Sequence, residues 1–157
     1  PFALHENFTV YQAMEPTIGA GADLNGRPVS LKYIHKAYLI AHINPVAGAG
    51  VAIHPETDTS VAFGSGAVLT SPVHIWSNED TDSGDAWTRE TDAVNFTTAA
   101  DTEPKMVIFE IDPANLPDGE DCVRLVVDSL AATDYAAIEY ILIPRYGGAS
   151  QPSVLVD

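Results

Sequence analysis

Basic residues are scarce in this chain. Seven Lys and Arg stand against twenty-two Asp and Glu, a formal net charge of −15. Such a surface repels phosphate backbones and anionic headgroups, so nucleic acid and membranes are not expected as partners. No run of about 18 apolar residues occurs, so no membrane-spanning helix is expected. A single cysteine, Cys122, excludes an internal disulfide framework. It lies in the apolar pattern Asp-Cys-Val-Arg-Leu-Val-Val and reads as a small buried hydrophobe, not a reactive thiol. The start, Pro-Phe-Ala-Leu-His-Glu, lacks the basic residues and apolar run of a secretory signal. Pro1 is expected to follow a removed initiator Met. The two glycosylation patterns, at Asn7 and Asn95, are therefore read as chance.

What remains is a sequence of ordinary apolar content, 46% over 157 residues. That suffices for one folded domain burying roughly 70% of its unfolded surface. The expectation is a single β domain over residues 1–157, with an extended N-terminal arm (1–7) and a C-terminal tail (147–157). The clearest segment is Lys-Met-Val-Ile-Phe-Glu-Ile-Asp, residues 105–112. Val107, Phe109 and Ile111 alternate onto one side, and Met106 and Ile108 onto the other. Apolar residues on both sides predict a strand covered on both faces for most of its length. Pro113 ends it, because proline donates no ladder hydrogen bond.

Further strands are expected over residues 8–14, 37–43, 51–54, 73–76, 121–130 and 135–143, with 88–97 alternating and 61–70 a bent strand or loop. Helix and strand both fit parts of 29–44; the density of Tyr, Ile and Val, with no capping box, favours a strand. Residues 17–28 read as a loop turning at Asn25-Gly26, 55–60 as a polar turn, 77–85 as an acidic loop and 112–120 as a connection. Short connections suggest that the last three strands form an antiparallel meander. Eight to ten short strands without a clear helix predict an all-β fold, an antiparallel β-sandwich or jelly-roll-like small barrel.

Candidate chemistry is thin. Asp80, Asp82 and Asp85 with Gly84 loosely match a calcium loop of alternating oxygen ligands. The glycine falls one place early, and Thr91 stands where a bidentate Glu belongs, so a solvated loop is the preferred reading. His5, His35, His42, His54 and His74 show no zinc spacing. There is no Gly-x-Ser-x-Gly elbow and no phosphate-binding glycine loop. Glu79 with Asp80, or Glu90 with Asp92, are pairs that twenty-two acids produce by accident. No catalytic residue, no metal and no cofactor is assigned, and the protein is not expected to be an enzyme. Trp76 and Trp87 could stack on sugar rings, although aromatics in a sandwich more often fill a core or an interface.

Residues 73–98, with Val-His-Ile-Trp-Ser-Asn-Glu-Asp and Thr-Arg-Glu-Thr-Asp-Ala-Val-Asn-Phe-Thr-Thr, together with Lys-Met-Val-Ile-Phe-Glu-Ile-Asp-Pro and Asp121-Cys122, resemble small structural proteins of tailed bacteriophages and prophages. The segments 6–16 and 145–157 are similar to theirs too. The resemblance implies a virion component made in the host cytoplasm, a capsid decoration (cement) protein on the outer face of the head. Its implied partners are the major capsid protein and further copies of itself, a homotrimer on lattice symmetry. No family site residues come with it. The apolar ends, Val154, Leu155 and Val156 with Phe2 and Leu4, are the interface candidates. Alternatives are a tail, neck or fibre-associated piece and a carbohydrate-binding β-sandwich module.

Overall fold

The computed structural model describes residues 4–148 and 151–156. Leu4–Asn7, within the expected arm, form one helical turn (α1). Among the described residues twelve strands follow: β1 Thr9–Ile18, β2 Ala22–Asn25, β3 Val29–Ser30, β4 Ile34–Asn44, β5 Ala52–Asp58, β6 Ala67–Val68, β7 His74–Asn78, β8 Thr88–Arg89, β9 Phe96–Thr97, β10 Lys105–Ile111, β11 Cys122–Leu130 and β12 Tyr135–Pro144. They form two antiparallel sheets, the expected β-sandwich. One has the order β1-β12-β4-β10-β7-β8. The other has β2-β11-β5-β6, with β3 also on β11 and β9 on β5. The core lies between them, built from the inward residues of each strand, among them Leu39, Ala41, Ile75, Val107, Phe109, Leu125, Ile138 and Tyr140.

The expected meander of the last three strands is not formed. β10 lies between β4 and β7, and β12 between β1 and β4, whereas β11 belongs to the opposite sheet. Residues 112–121 and 131–134 therefore cross between sheets. β11 suits this place because it is apolar on both sides: Val123, Leu125 and Val127 face inward, and Cys122 and Val126 are buried on the other side. Short connections favour adjacency, but in a sandwich the nearest neighbour can lie across the core.

Two proline and glycine signals have other causes than turns. Pro55 sits inside β5, opposite Leu125, so Ala52–Asp58 is one strand that runs through the expected strand end and into the expected turn at 55–60. Its carbonyl accepts from Leu69 N, which places its missing N–H on the side where β9 ends at Ile53 and β6 begins at Glu56. No ladder bond is lost there. Asn25-Gly26 joins no hairpin either: β2 and β3 both pair with β11. Gly26 is needed for close approach, since a Cβ there would lie 2.5 Å from the Tyr140 hydroxyl. That hydroxyl accepts from Leu125 N at 2.8 Å, replacing the bond that the gap between β2 and β3 leaves unmade. Burial raises the phenol's pKa above its ordinary value.

The cover over β10 is one-sided. Lys105, Val107, Phe109 and Ile111 are buried, but Met106, Ile108 and Glu110 are only half-buried, because no third layer of described residues lies on this sheet.

Candidate interaction surface

An antiparallel sheet with one solvated face normally turns polar residues outward. The second sheet does so. On its outer face His54 Nδ1 lies 3.1 Å from Asp128 Oδ2, and Arg124 Nε donates to Glu56 Oε2 at 2.7 Å. The Phe63 ring packs on the Arg124 guanidinium, 4.5 Å from it.

The first sheet, β1-β12-β4-β10-β7-β8, does not. Its register places Glu139, Ile40, Ile108, Trp76 and Arg89 in one row across β12, β4, β10, β7 and β8. One row on, Val10, Ile141, Tyr38, Glu110 and His74 are neighbours. On the other side stand Ala137, His42 and Met106. The middle of this face is thus apolar, and its borders are charged.

The border charges are satisfied locally. Lys36 pairs with Glu110, and that hydrogen bond raises the lysine pKa. His74 Nδ1 lies 3.0 Å from Asp92 Oδ2, and Arg89 reaches the same carboxylate. Arg89 also lies over the Trp76 ring, 5.6 Å from its centroid. That guanidinium occupies one face of the ring a sugar would need. His42 Nε2 sits 3.7 Å from Glu139 Oε2. An apolar centre inside a polar rim is the layout of a protein contact surface.

At the Asn44 end of β4 this face deepens into a cleft of about 300 Å³. Pro16, His42, Ile43, Pro104, Met106, Tyr135 and Ala137 are among its lining residues, and none of the lining residues is acidic. A smaller hollow of about 200 Å³ adjoins it, sharing Pro16, His42 and Ala137. Beneath lies Lys105, whose side chain is 0% exposed. Its Nζ donates to Glu79 O at 2.9 Å and Asp101 Oδ1 at 2.5 Å, and lies 3.3 Å from Glu79 Oε2. The lysine thereby ties residues 79 and 101 of two loops to β10. A lysine opening an apolar strand, with Asp101 four residues before it, was the available signal for this ion pair.

The sequence candidates fall in several places. Asp80, Asp82 and Asp85 do not converge: no group of three potential metal-ligating side chains occurs among the described residues. Asp80 Oδ1 accepts from Ser83 N at 3.0 Å, a local turn bond. Glu90 accepts from Ser77 Oγ at 2.6 Å, away from Asp92. Val154 packs against the core of its own domain, and its carbonyl accepts from Ser30 N at 2.7 Å. Leu155 and Val156 are exposed, 49% and 63%, as is Leu4. Phe2 lies outside the described residues. Ile108, Tyr38 and Ile141, half-buried on this face around the buried Ile40, were not foreseen as outward-facing, because apolar residues on both sides of a strand read as two covered faces.

Three carboxylates carry structural load. Hydrogen bonds from Ser65 and Thr59 backbone N–H groups hold Asp58 below its ordinary pKa. Arg89, then His74, do the same for Asp92, and Lys105, then Glu103 N, for Asp101. A depressed folded-state pKa contributes stability above the unfolded value of about 3.9, and that stability is lost as pH falls through the folded value. Urea midpoints are therefore expected to fall below about pH 4. Relief of self-repulsion in a −15 chain acts the other way at milder acidity. Asp58→Asn is expected to lower the midpoint at pH 7 and to flatten the acid loss. A wild-type midpoint that holds steady down to pH 2.5 contradicts this role of the three carboxylates.

No family model and no curated protein matches the chain. Among solved structures it is similar to the SPBc2 prophage-derived protein YomS, at 13% identity over 87% of this chain and 93% of that one, with a TM-score of 0.47. It is also similar to TmCBM61, solved in complex with β-1,4-galactotriose, at 12% identity over 87% and 88% of the two chains, with a TM-score of 0.37. Likenesses this distant carry no argument about function.

Proposed function

We propose that the protein is a non-enzymatic virion component of the phage type, a capsid decoration protein that binds the major capsid protein through the outer face of its β1-β12-β4-β10-β7-β8 sheet. The observation that carries this reading is the apolar row of half-buried Ile108 and Trp76 beside buried Ile40, set within locally neutralised charges on a sheet face that no described residues cover with a third layer. The sequence resemblance to phage structural proteins supports it. So does the net charge of −15, which keeps a high-copy protein soluble and off packaged nucleic acid. Binding the assembled shell and not its dissociated subunits stabilises the assembled state by mass action.

The test is particle stability. Particles stripped of the protein are expected to rupture at a lower temperature, and added wild-type protein to restore it. Ile108→Glu, checked to be folded, is expected to fail in restoring it. An unchanged rupture temperature after complete stripping contradicts the proposal. A count of only a few copies per particle favours a tail or neck position instead.

A further inference from the structure

We infer that copies of this chain join head to tail, with Leu155 and Val156 of one copy seated in the cleft lined by Pro16, His42, Met106, Tyr135 and Ala137 of the next. This rests on the isolated protein's own surfaces and stands whether or not the shell is its partner. Three observations lead to it.

The first is position. The C-terminal segment is fixed at the Ile34 end of the sandwich. Thr9 Oγ1 donates to Gln151 Oε1 at 2.7 Å, Gln151 Nε2 donates to Glu6 O at 3.2 Å, and the Val154 carbonyl is held by Ser30 N. The cleft is at the other end, around Ile43, Asn44 and Tyr135. β4 runs from Ile34 to Asn44, about 30 Å at the usual rise per residue. Leu155 and Val156 stay within about 10 Å of the anchored Val154. A copy's own tail therefore cannot reach its own cleft, and a second copy's can.

The second is charge. On a protein of net charge −15, two copies repel over most of their surfaces. The cleft has no acidic lining residue, and its Lys105 is already neutralised by Glu79 and Asp101. The segment Pro152-Ser153-Val154-Leu155-Val156 has no charged side chain, and one acid, Asp157, follows it. With Glu139 in the adjoining hollow and Asp157 after the tail as the nearby acids, these two surfaces can meet at less electrostatic cost than the acidic surface elsewhere.

The third is fit. A cleft of about 300 Å³ with mainly apolar walls is at the small end of the range for ligand pockets. It suits one or two aliphatic side chains. Leu155 and Val156 are exposed apolar residues carried on a segment that is already held in place, so little ordering is needed on binding. Because donor and acceptor surfaces differ, the contact is heterologous, and it closes into a ring when the rotation between copies permits.

The experiment measures mass by light scattering across a dilution series of the purified chain. Wild type is expected to assemble. A tail variant, Leu155→Glu with Val156→Glu, and a cleft variant, Ala137→Glu, are each expected to weaken assembly about thirtyfold or more, with unfolding midpoints near wild type. Tyr135→Glu replaces Ala137→Glu if that variant does not fold. The decisive sample is an equimolar mixture. The cleft variant keeps its tail and the tail variant keeps its cleft, so the mixture is expected to form a one-to-one dimer that neither forms alone. Monomeric wild type at every concentration overturns the inference. So do variants that assemble like wild type, and a mixture that stays monomeric, which marks a face-to-face contact of like surfaces.

Discussion

Phe109→Ala is expected to destabilise the isolated domain by about 4 kcal/mol, and Ile108→Ala by only about 1 kcal/mol. The two residues are adjacent on β10, and their β-propensities are similar. Phe109 is 0% exposed and points into the core beneath the pairings with β4 and β7. Its truncation removes a large buried ring and leaves a cavity between two packed sheets. Ile108 lies on the outer face with Ile40 and Trp76 as neighbours and water above. For a chain of this length the first change corresponds to a loss of about 10 °C in Tm and the second to only a few degrees. Equal costs would mean that both faces of the sheet are covered in the free protein. The contrast matters functionally: Ile108 contributes little to folding, so its apolar character is left for a contact.

Lys105→Met is expected to cost roughly 2–3 kcal/mol despite the near-equal volume of the replacement. Removing a buried cation leaves its carboxylates without their partner. Breaking a fully buried pair costs about 3–5 kcal/mol. Here Glu79 and Asp101 keep side-chain exposures of 31% and 45%, so water recovers part of the loss. The Glu79 carbonyl also loses its donor. Thermal unfolding checks the magnitude, and adding Asp101→Asn to Lys105→Met should restore part of it, since the unpaired charge is then gone. A single variant within 0.5 kcal/mol of wild type means that Lys105 does not anchor the two loops.

The fold class was legible because the period-two pattern is strong where it counts. Residues 105–111, 122–130 and 135–144 combine alternation with Val, Ile, Leu, Phe and Tyr, and each is a strand. The strand neighbours were not legible. Whether β11 lies beside β10 or across the core depends on long-range pairing with β5, and nothing within 105–144 encodes that choice. Local punctuation misled in two places. Pro55 reads as a strand end only when the direction of its missing N–H is unknown, and Gly26 reads as a turn only when Tyr140 is not seen above it. The contact surface was hidden for a related reason. Met106 and Ile108 look like core residues in sequence, since burial under a second layer and burial under a partner leave the same apolar pattern. The Leu155–Val156 tail was visible as exposed apolar sequence, but its cleft joins residues from β1, β4, β10 and β12 and exists only in three dimensions.

A density map of the intact particle tests the central claim most directly, because it gives place, neighbours and orientation at once. The account predicts the domain on the outer head surface, with the face bearing Ile40, Ile108 and Trp76 turned toward the major capsid protein. A domain absent from the particle, or present with that face open to solvent, contradicts it.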